Sequence, residues 1–206
     1  MSDLLDRVHQ LRQDNRWIFS TMLFSACLSL LASFVLSIDA VALAADPHTA
    51  LSCNLNAVIS CGTVGTSWQA SLLGFPNAFL GLAAEPVVIT IAVASLAGVV
   101  FPRGFMLAAQ LVYTIGVGFA YWLFYQAMFV IGALCPWCLL VTLSTTLVFT
   151  SLTHVNIRDN NLFLPPSLNS ALQAGLRMGL DVLVITIWLA ALVVLIFWKY
   201  GAALLG

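Results

Sequence analysis

The chain has 206 residues, 62% hydrophobic and 7% charged, with a formal net charge of −1 and a mean hydropathy of +1.04. So few charges cannot cover a water-soluble globule of this size, so the composition predicts an all-α membrane protein whose core is a helix bundle in a bilayer. No basic cluster stands out, which excludes nucleic acid and a polybasic lipid-surface patch as partners.

Residues 1–16 mix Asp3, Asp6 and Asp14 with Arg7, Arg12 and Arg16 and are expected to form a short cytoplasmic helix. The first span follows at about 17–37, close to the roughly 20 residues a hydrocarbon core requires. Ala42-Leu43-Ala44 resembles a signal-peptidase site, but the apolar run before it exceeds a signal h-region of about 7–15 residues and the leading segment is half acidic. The helix is therefore read as uncleaved. Cys27, inside this run, reads as a small packing residue.

The loop at 39–75 holds the turn Asp46-Pro47, then Cys53 and Cys61. Leu55, Val58 and Ile59 fall at i, i+3 and i+4, and Trp68, Leu72 and Leu73 follow. That spacing predicts short amphipathic helices lying on the membrane surface and capping the bundle. His48 reads as solvated. Gly74-Phe75-Pro76 turns the chain into the second span, about 77–100, which opens on Asn77 and carries Glu85 beside Pro86. Asn77 there is either a helix cap or an amide presented at membrane depth. An acid inside a span is a functional candidate by default, yet a protonated Glu85 would also help satisfy backbone groups freed by Pro86.

After the turn Phe101-Pro102-Arg103-Gly104 the third span runs over about 105–134. Gly116 and Gly118 are expected to let a neighbouring helix come close. Cys135-Pro136-Trp137-Cys138 opens the fourth span, about 138–152. A polar connector with Pro165-Pro166 leads to a fifth span at about 181–200. The chain thus divides into a four-helix core at 1–152 and a connector plus fifth helix at 153–206, with neither repeats nor low-complexity segments. With the N-terminus inside, Arg7, Arg12, Arg16, Arg103, Arg158 and Arg177 are cytoplasmic and Lys199 alone lies outside, the bias of the positive-inside rule. Both cysteine pairs then share the extracytoplasmic face, where disulfides persist.

Two thiols at C-x-x-C spacing close a disulfide or clamp a metal. At a helix start the peptide dipoles and unpaired N–H groups favour the reactive thiolate, and Pro136 suits a first turn. Two dithiols on one oxidising face suggest a thiol–disulfide relay through a mixed disulfide. A static Cys53–Cys61 staple and a four-cysteine zinc site compete with it. The staple would leave the C-x-x-C without an exchange partner. Cys-x7-Cys is long for half a zinc finger, so no metal is expected. From a different class, a small transport or assembly subunit with structural disulfides would have cysteines that never change redox state.

The arrangement Cys53-x7-Cys61-x5-Ser67, then Gly74-Phe75-Pro76-Asn77-Ala78-Phe79-Leu80-Gly81, then Cys135-Pro136-Trp137-Cys138, resembles the vitamin K epoxide reductase family over about 17–152. It looks most like bacterial members without a fused thioredoxin-like domain. The four-helix quinone-linked disulfide oxidases carry their two dithiols in the reverse order. The resemblance implies that Cys138 passes electrons to a quinone (menaquinone, ubiquinone or a vitamin K-like one), with Cys135 as its resolving partner. It implies further that Cys61 relays electrons to Cys135 and that Cys53 meets an extracytoplasmic thioredoxin-like protein. Asn77 matches the asparagine that hydrogen-bonds a quinone carbonyl and Ser67 a loop serine near the site. Thr142 stands where a tyrosine is often found. In fused bacterial relatives a fifth helix leads to the thioredoxin-like domain. Because the chain ends at Gly206, that partner is expected to be a separate protein. The implied setting is the bacterial inner membrane.

Overall fold

The computed structural model describes residues 14–56 and 58–205. Residues 1–13, where most of the short polar helix was expected, lie outside the described residues. Among the described residues, five helices are long and apolar enough to cross a membrane: α1 (Asn15–Ala45), α3 (Ala78–Leu96), α4 (Arg103–Gln126), α5 (Pro136–Arg158) and α7 (Leu180–Leu205). The short α2 (Cys61–Gly65) lies in the first loop, and α6 (Pro166–Met178) joins α5 to α7. The protein is a four-helix transmembrane bundle with a fifth transmembrane helix beside it and a loop capping one end.

Asp14 starts α1, its Oδ1 accepting the Arg16 N–H at 3.1 Å. The helix does not stop at residue 37 as hydropathy suggested. Its 31 residues carry on through a run rich in alanine, a strong helix former, and end before Asp46-Pro47, where the residue ahead of proline resists helical geometry. Asp39 is thus a helical residue rather than a loop residue. Inside a bilayer, apolar contact with lipid is as good as apolar contact with protein, so close packing of small residues holds helices together. Ser25, Ser29, Ser33 and Ser37, one turn apart on α1, are accordingly buried, while Phe24 and Phe34 face outward. Cys27 is exposed too, so it packs against the bundle's surroundings rather than in the core.

The serine face of α1 lies along α3 and α5. At Gly81 on α3 a Cβ atom would come within 2.0 Å of Ser33 Oγ, which makes Gly81 the close-approach glycine. Gly116 and Gly118 are not: both are exposed, and a Cβ on either meets nothing within 4 Å. Glu85 Oε1 accepts Ser29 Oγ at 2.8 Å and Tyr113 Oη at 3.2 Å. Glu85 thus ties α1, α3 and α4 through side chains, not through the backbone groups freed by Pro86.

The third span also ends earlier than expected. After Gln126 the helix widens into a π turn at Ala127–Ile131, and Gly132 takes a left-handed φ of 78° that glycine tolerates without steric cost. Ala133 and Leu134 then leave the helix. The fourth helix, in contrast, runs six residues past 152, so His154 and Asn156, expected in the connector, are buried in the bundle. Asn156 Nδ2 donates to Gln110 Oε1 at 2.9 Å. The rest of the connector folds as α6, begun by Pro165-Pro166. The fifth helix is pinned by a His154–Asp181 contact of 2.8 Å and by Trp188 Nε1 donating to Tyr121 Oη at 2.8 Å. Lys199 Nζ and Tyr200 Oη both donate to the Met128 carbonyl in the π turn.

Candidate functional site

The cysteine pairs meet because the first loop and the segment before α5 share a short backbone bridge. Ile59 pairs with Leu134 in parallel. The Leu134 N–H donates to Val58 O at 2.7 Å and the Ser60 N–H to Leu134 O at 3.0 Å. Cys135 follows Leu134 directly, and Cys61 follows Ile59 one residue further on, after Ser60. Their register is therefore set by the main chain.

Apolar spacing at Leu55, Val58 and Ile59 predicted a helix, and the structure has none there. Asn56 Oδ1 accepts the N–H groups of Val58 and Ile59 at 2.9 and 2.7 Å, an Asx turn that replaces helical bonds. The helix starts at Cys61 instead. Ser60 Oγ caps it by accepting the Thr63 N–H at 3.1 Å, while Asn54 Oδ1 takes the Gly62 N–H at 2.8 Å.

Cys53 and Cys61 form a disulfide, and Cys135 and Cys138 are free thiols. Cys135 Sγ lies 3.3 Å from Cys61 Sγ. Cys53, Cys61 and Cys135 are all buried, with Leu36, Leu51, Val64, Trp137 and Cys138 packed around them. Cys135 is also the N-cap of α5, its sulfur accepting the Cys138 N–H at 3.4 Å, and Pro136 fills the first turn. The Cys138 thiol, by donating to Cys135, holds the Cys135 thiol below its ordinary value; the N–H groups of Cys138 and Trp137 add to this, while burial and the charge of Asp39 oppose it. A thiol made easier to deprotonate and placed against a disulfide sulfur at this distance is set up for exchange.

Asn77 and Ser67 belong to the segment that follows. Ser67 Oγ donates to Val64 O at 2.6 Å. Asn77 makes no helix-capping bond. Its Nδ2 donates to Gln69 O at 2.6 Å, and its Oδ1 is buried without a partner. That orphaned acceptor, beside an amide N–H still free to donate, fits the oxygens of a quinone or its reduced form. Thr142, where a tyrosine is often found, gives its hydroxyl to the Cys138 carbonyl at 3.0 Å.

Two residues escaped the sequence reading. Gln69 is buried and carries the carbonyl that holds Asn77, a role that no pattern in the chain announces. Asp39 Oδ2 lies 3.9 Å from Cys53 Sγ. Its signal was the alanine-rich run after it, which keeps it on α1. Asp39, Cys53 and Cys61 have their ligand atoms within 4.8 Å of one another. Thiolate is the metal-binding form of cysteine, so a closed disulfide leaves that group without sulfur ligands.

Spanning helices and a dithiol poised against a disulfide define a multi-pass membrane oxidoreductase. The chain belongs to the vitamin K epoxide reductase family, whose profile matches residues 20–153. Among curated proteins none matches it.

Proposed function

We propose that this protein oxidises an extracytoplasmic thioredoxin-like protein and passes the two electrons to a membrane quinone, supporting disulfide formation in exported proteins. The observation that carries the reading is the 3.3 Å approach of Cys135 Sγ to Cys61 Sγ, with Cys61 already in a disulfide. Cys53 receives the partner's electrons as a mixed disulfide, and Cys61 closes on Cys53 or Cys135 in turn. Cys135 and Cys138 carry the electrons onward and close a disulfide of their own. A bound menaquinone, ubiquinone or vitamin K-like quinone supplies the sink for two electrons and two protons. Asn77 orients it by donating its free amide N–H to a quinone carbonyl, Oδ1 accepting from a hydroxyl of the reduced form, and Ser67 holds the loop beside Asn77. Family membership supports the quinone link, and the arginine bias along the chain supports a bacterial inner-membrane setting with an inward N-terminus and outward cysteines.

A folded partner docks on the loop and so depends on Cys53, the loop cysteine farther along the relay from Cys135, whereas a small dithiol diffuses to Cys135 and Cys138 directly. Cys53→Ala is therefore expected to abolish quinone reduction driven by a reduced thioredoxin-like protein and to keep most of that driven by dithiothreitol. Cys135→Ala and Cys138→Ala abolish both. Equal loss with both donors in a well-folded Cys53→Ala protein would return Cys53–Cys61 to a structural staple, whose loss costs about 2–5 kcal/mol of stability.

A further inference from the structure

Asp39 reaches Cys53 from the far end of α1, its Oδ2 3.9 Å from the sulfur. While Cys53 is bonded to Cys61 that sulfur has no hydrogen, and the contact is not a hydrogen bond. Once the disulfide opens, the Cys53 thiol has an acceptor already in place. Among the described residues, Cys61 from the loop and Cys135 at the mouth of α5 are titratable groups that also lie near Asp39. Asp39 is half-buried on α1.

We propose that Asp39 is a catalytic residue of the relay, the general base and acid for Cys53, a role that rests on the relay reading above. In the direction of partner oxidation, the Cys61 thiolate attacks Cys135 of a Cys135–Cys138 disulfide. That bond breaks and its electron pair goes to Cys138. Asp39 then takes the proton from Cys53, and the Cys53 thiolate attacks Cys61. The Cys53–Cys61 bond forms, the Cys61–Cys135 bond breaks, and its electron pair goes to Cys135. The loop dithiol has lost two electrons, now on Cys135 and Cys138, and two protons, one released from Cys61 as its thiolate formed and one through the Asp39 carboxylate to water. In reverse, protonated Asp39 gives its proton to Cys53 as it leaves. The same charge disfavours a thiolate on Cys135, which biases the mixed disulfide towards releasing Cys135 only after Asp39 has been neutralised by the Cys53 proton.

The test uses the full chain carrying Cys138→Ala, in which Cys135 can attack Cys61 but cannot close on Cys138. Excess N-ethylmaleimide captures Cys53 each time it is expelled and locks the Cys61–Cys135 bond, and the doubly marked product is counted by mass spectrometry after proteolysis. With Asp39 intact the product accumulates with a rate that depends on pH across the carboxyl range. Asp39→Asn is expected to slow it about a hundred-fold, the low end of general acid–base catalysis, and to remove that pH dependence, while Asp39→Glu restores both. Product that accumulates at the same rate and with the same pH profile in Asp39→Asn would overturn the role of Asp39 and leave the relay standing. No Cys61–Cys135 product with Asp39 intact, in protein whose Cys135 the same mass spectra show unalkylated, would overturn the relay itself, and the base with it.

Discussion

Asn77 leaves a buried oxygen without a partner in a segment where neighbouring polar atoms are satisfied. An unsatisfied buried acceptor costs about 1–3 kcal/mol, and such atoms call for a reason. A ligand that donates to Oδ1 supplies one. Asn77→Ala is then expected to weaken quinone turnover by an amount equivalent to about 1–3 kcal/mol while leaving exchange between Cys53–Cys61 and a dithiol protein intact. Steady-state quinone reduction beside a stopped-flow exchange assay separates the two. Unchanged quinone kinetics in a protein that melts earlier would reduce Asn77 to the bond it makes with Gln69 O. Asn77 could be singled out from the sequence because a polar amide opened an apolar run. Its partner Gln69 could not, since a lone glutamine in a polar loop carries no pattern, and only the folded loop turns that carbonyl towards Asn77.

Between residue and whole molecule stands the π turn at Ala127–Ile131, which delivers the chain to Cys135. Widened turns leave carbonyls poorly satisfied, and here Lys199 and Tyr200 of α7 both donate to Met128 O, with Lys199 Nζ also 4.3 Å from the Phe129 ring centroid. The fifth helix therefore braces the entry to the C-x-x-C although its flank is otherwise exposed. Replacing both donors, Lys199→Met with Tyr200→Phe, is expected to cost about 1–3 kcal/mol for the orphaned carbonyl and to speed alkylation of Cys135. Thermal unfolding in detergent and a maleimide time course read the two effects, and a double variant with wild-type alkylation would make α7 a mere lipid-facing neighbour. Hydropathy located this helix, as it located every span, because about 20 apolar residues in a row have few other uses. It misjudged where helices end, because the edge of the oil is not the end of a helix: α1 runs on through its alanines past Asp39, and α5 through His154 and Asn156. The C-x-x-C at a helix mouth was readable from Pro136. The Ile59–Leu134 bridge was not, since Asn56 overrides the helical spacing around it and the pairing joins segments far apart in the chain.

At the scale of the molecule the two ends of the bundle differ in charge. Arg16 lies near the start of α1 and Arg177 near the end of α6. Arg103 opens α4 and donates to the Asn160 carbonyl, and Arg158 pairs with Asp159 at 2.8 Å at the end of α5. Lys199 instead sits at the cysteine end, over the π turn. Loops rich in arginine stay on the cytoplasmic side, so the cysteine end is expected to face outward. That orientation carries the chemistry with it. Cytosolic thiol buffers would keep Cys53 and Cys61 reduced, whereas on the outer face a disulfide persists until a specific donor opens it. A reporter fused in the turn at 101–104 and another inserted after Asp46 should therefore report opposite sides, active alkaline phosphatase only at the second and fluorescent protein only at the first. A membrane-impermeant maleimide applied to intact cells, after mild reduction, should label Cys53 before permeabilisation. Labelling only after the cells are opened, with the reporters reversed, would put both pairs against the reducing cytosol, and an oxidase of exported proteins could not work from there.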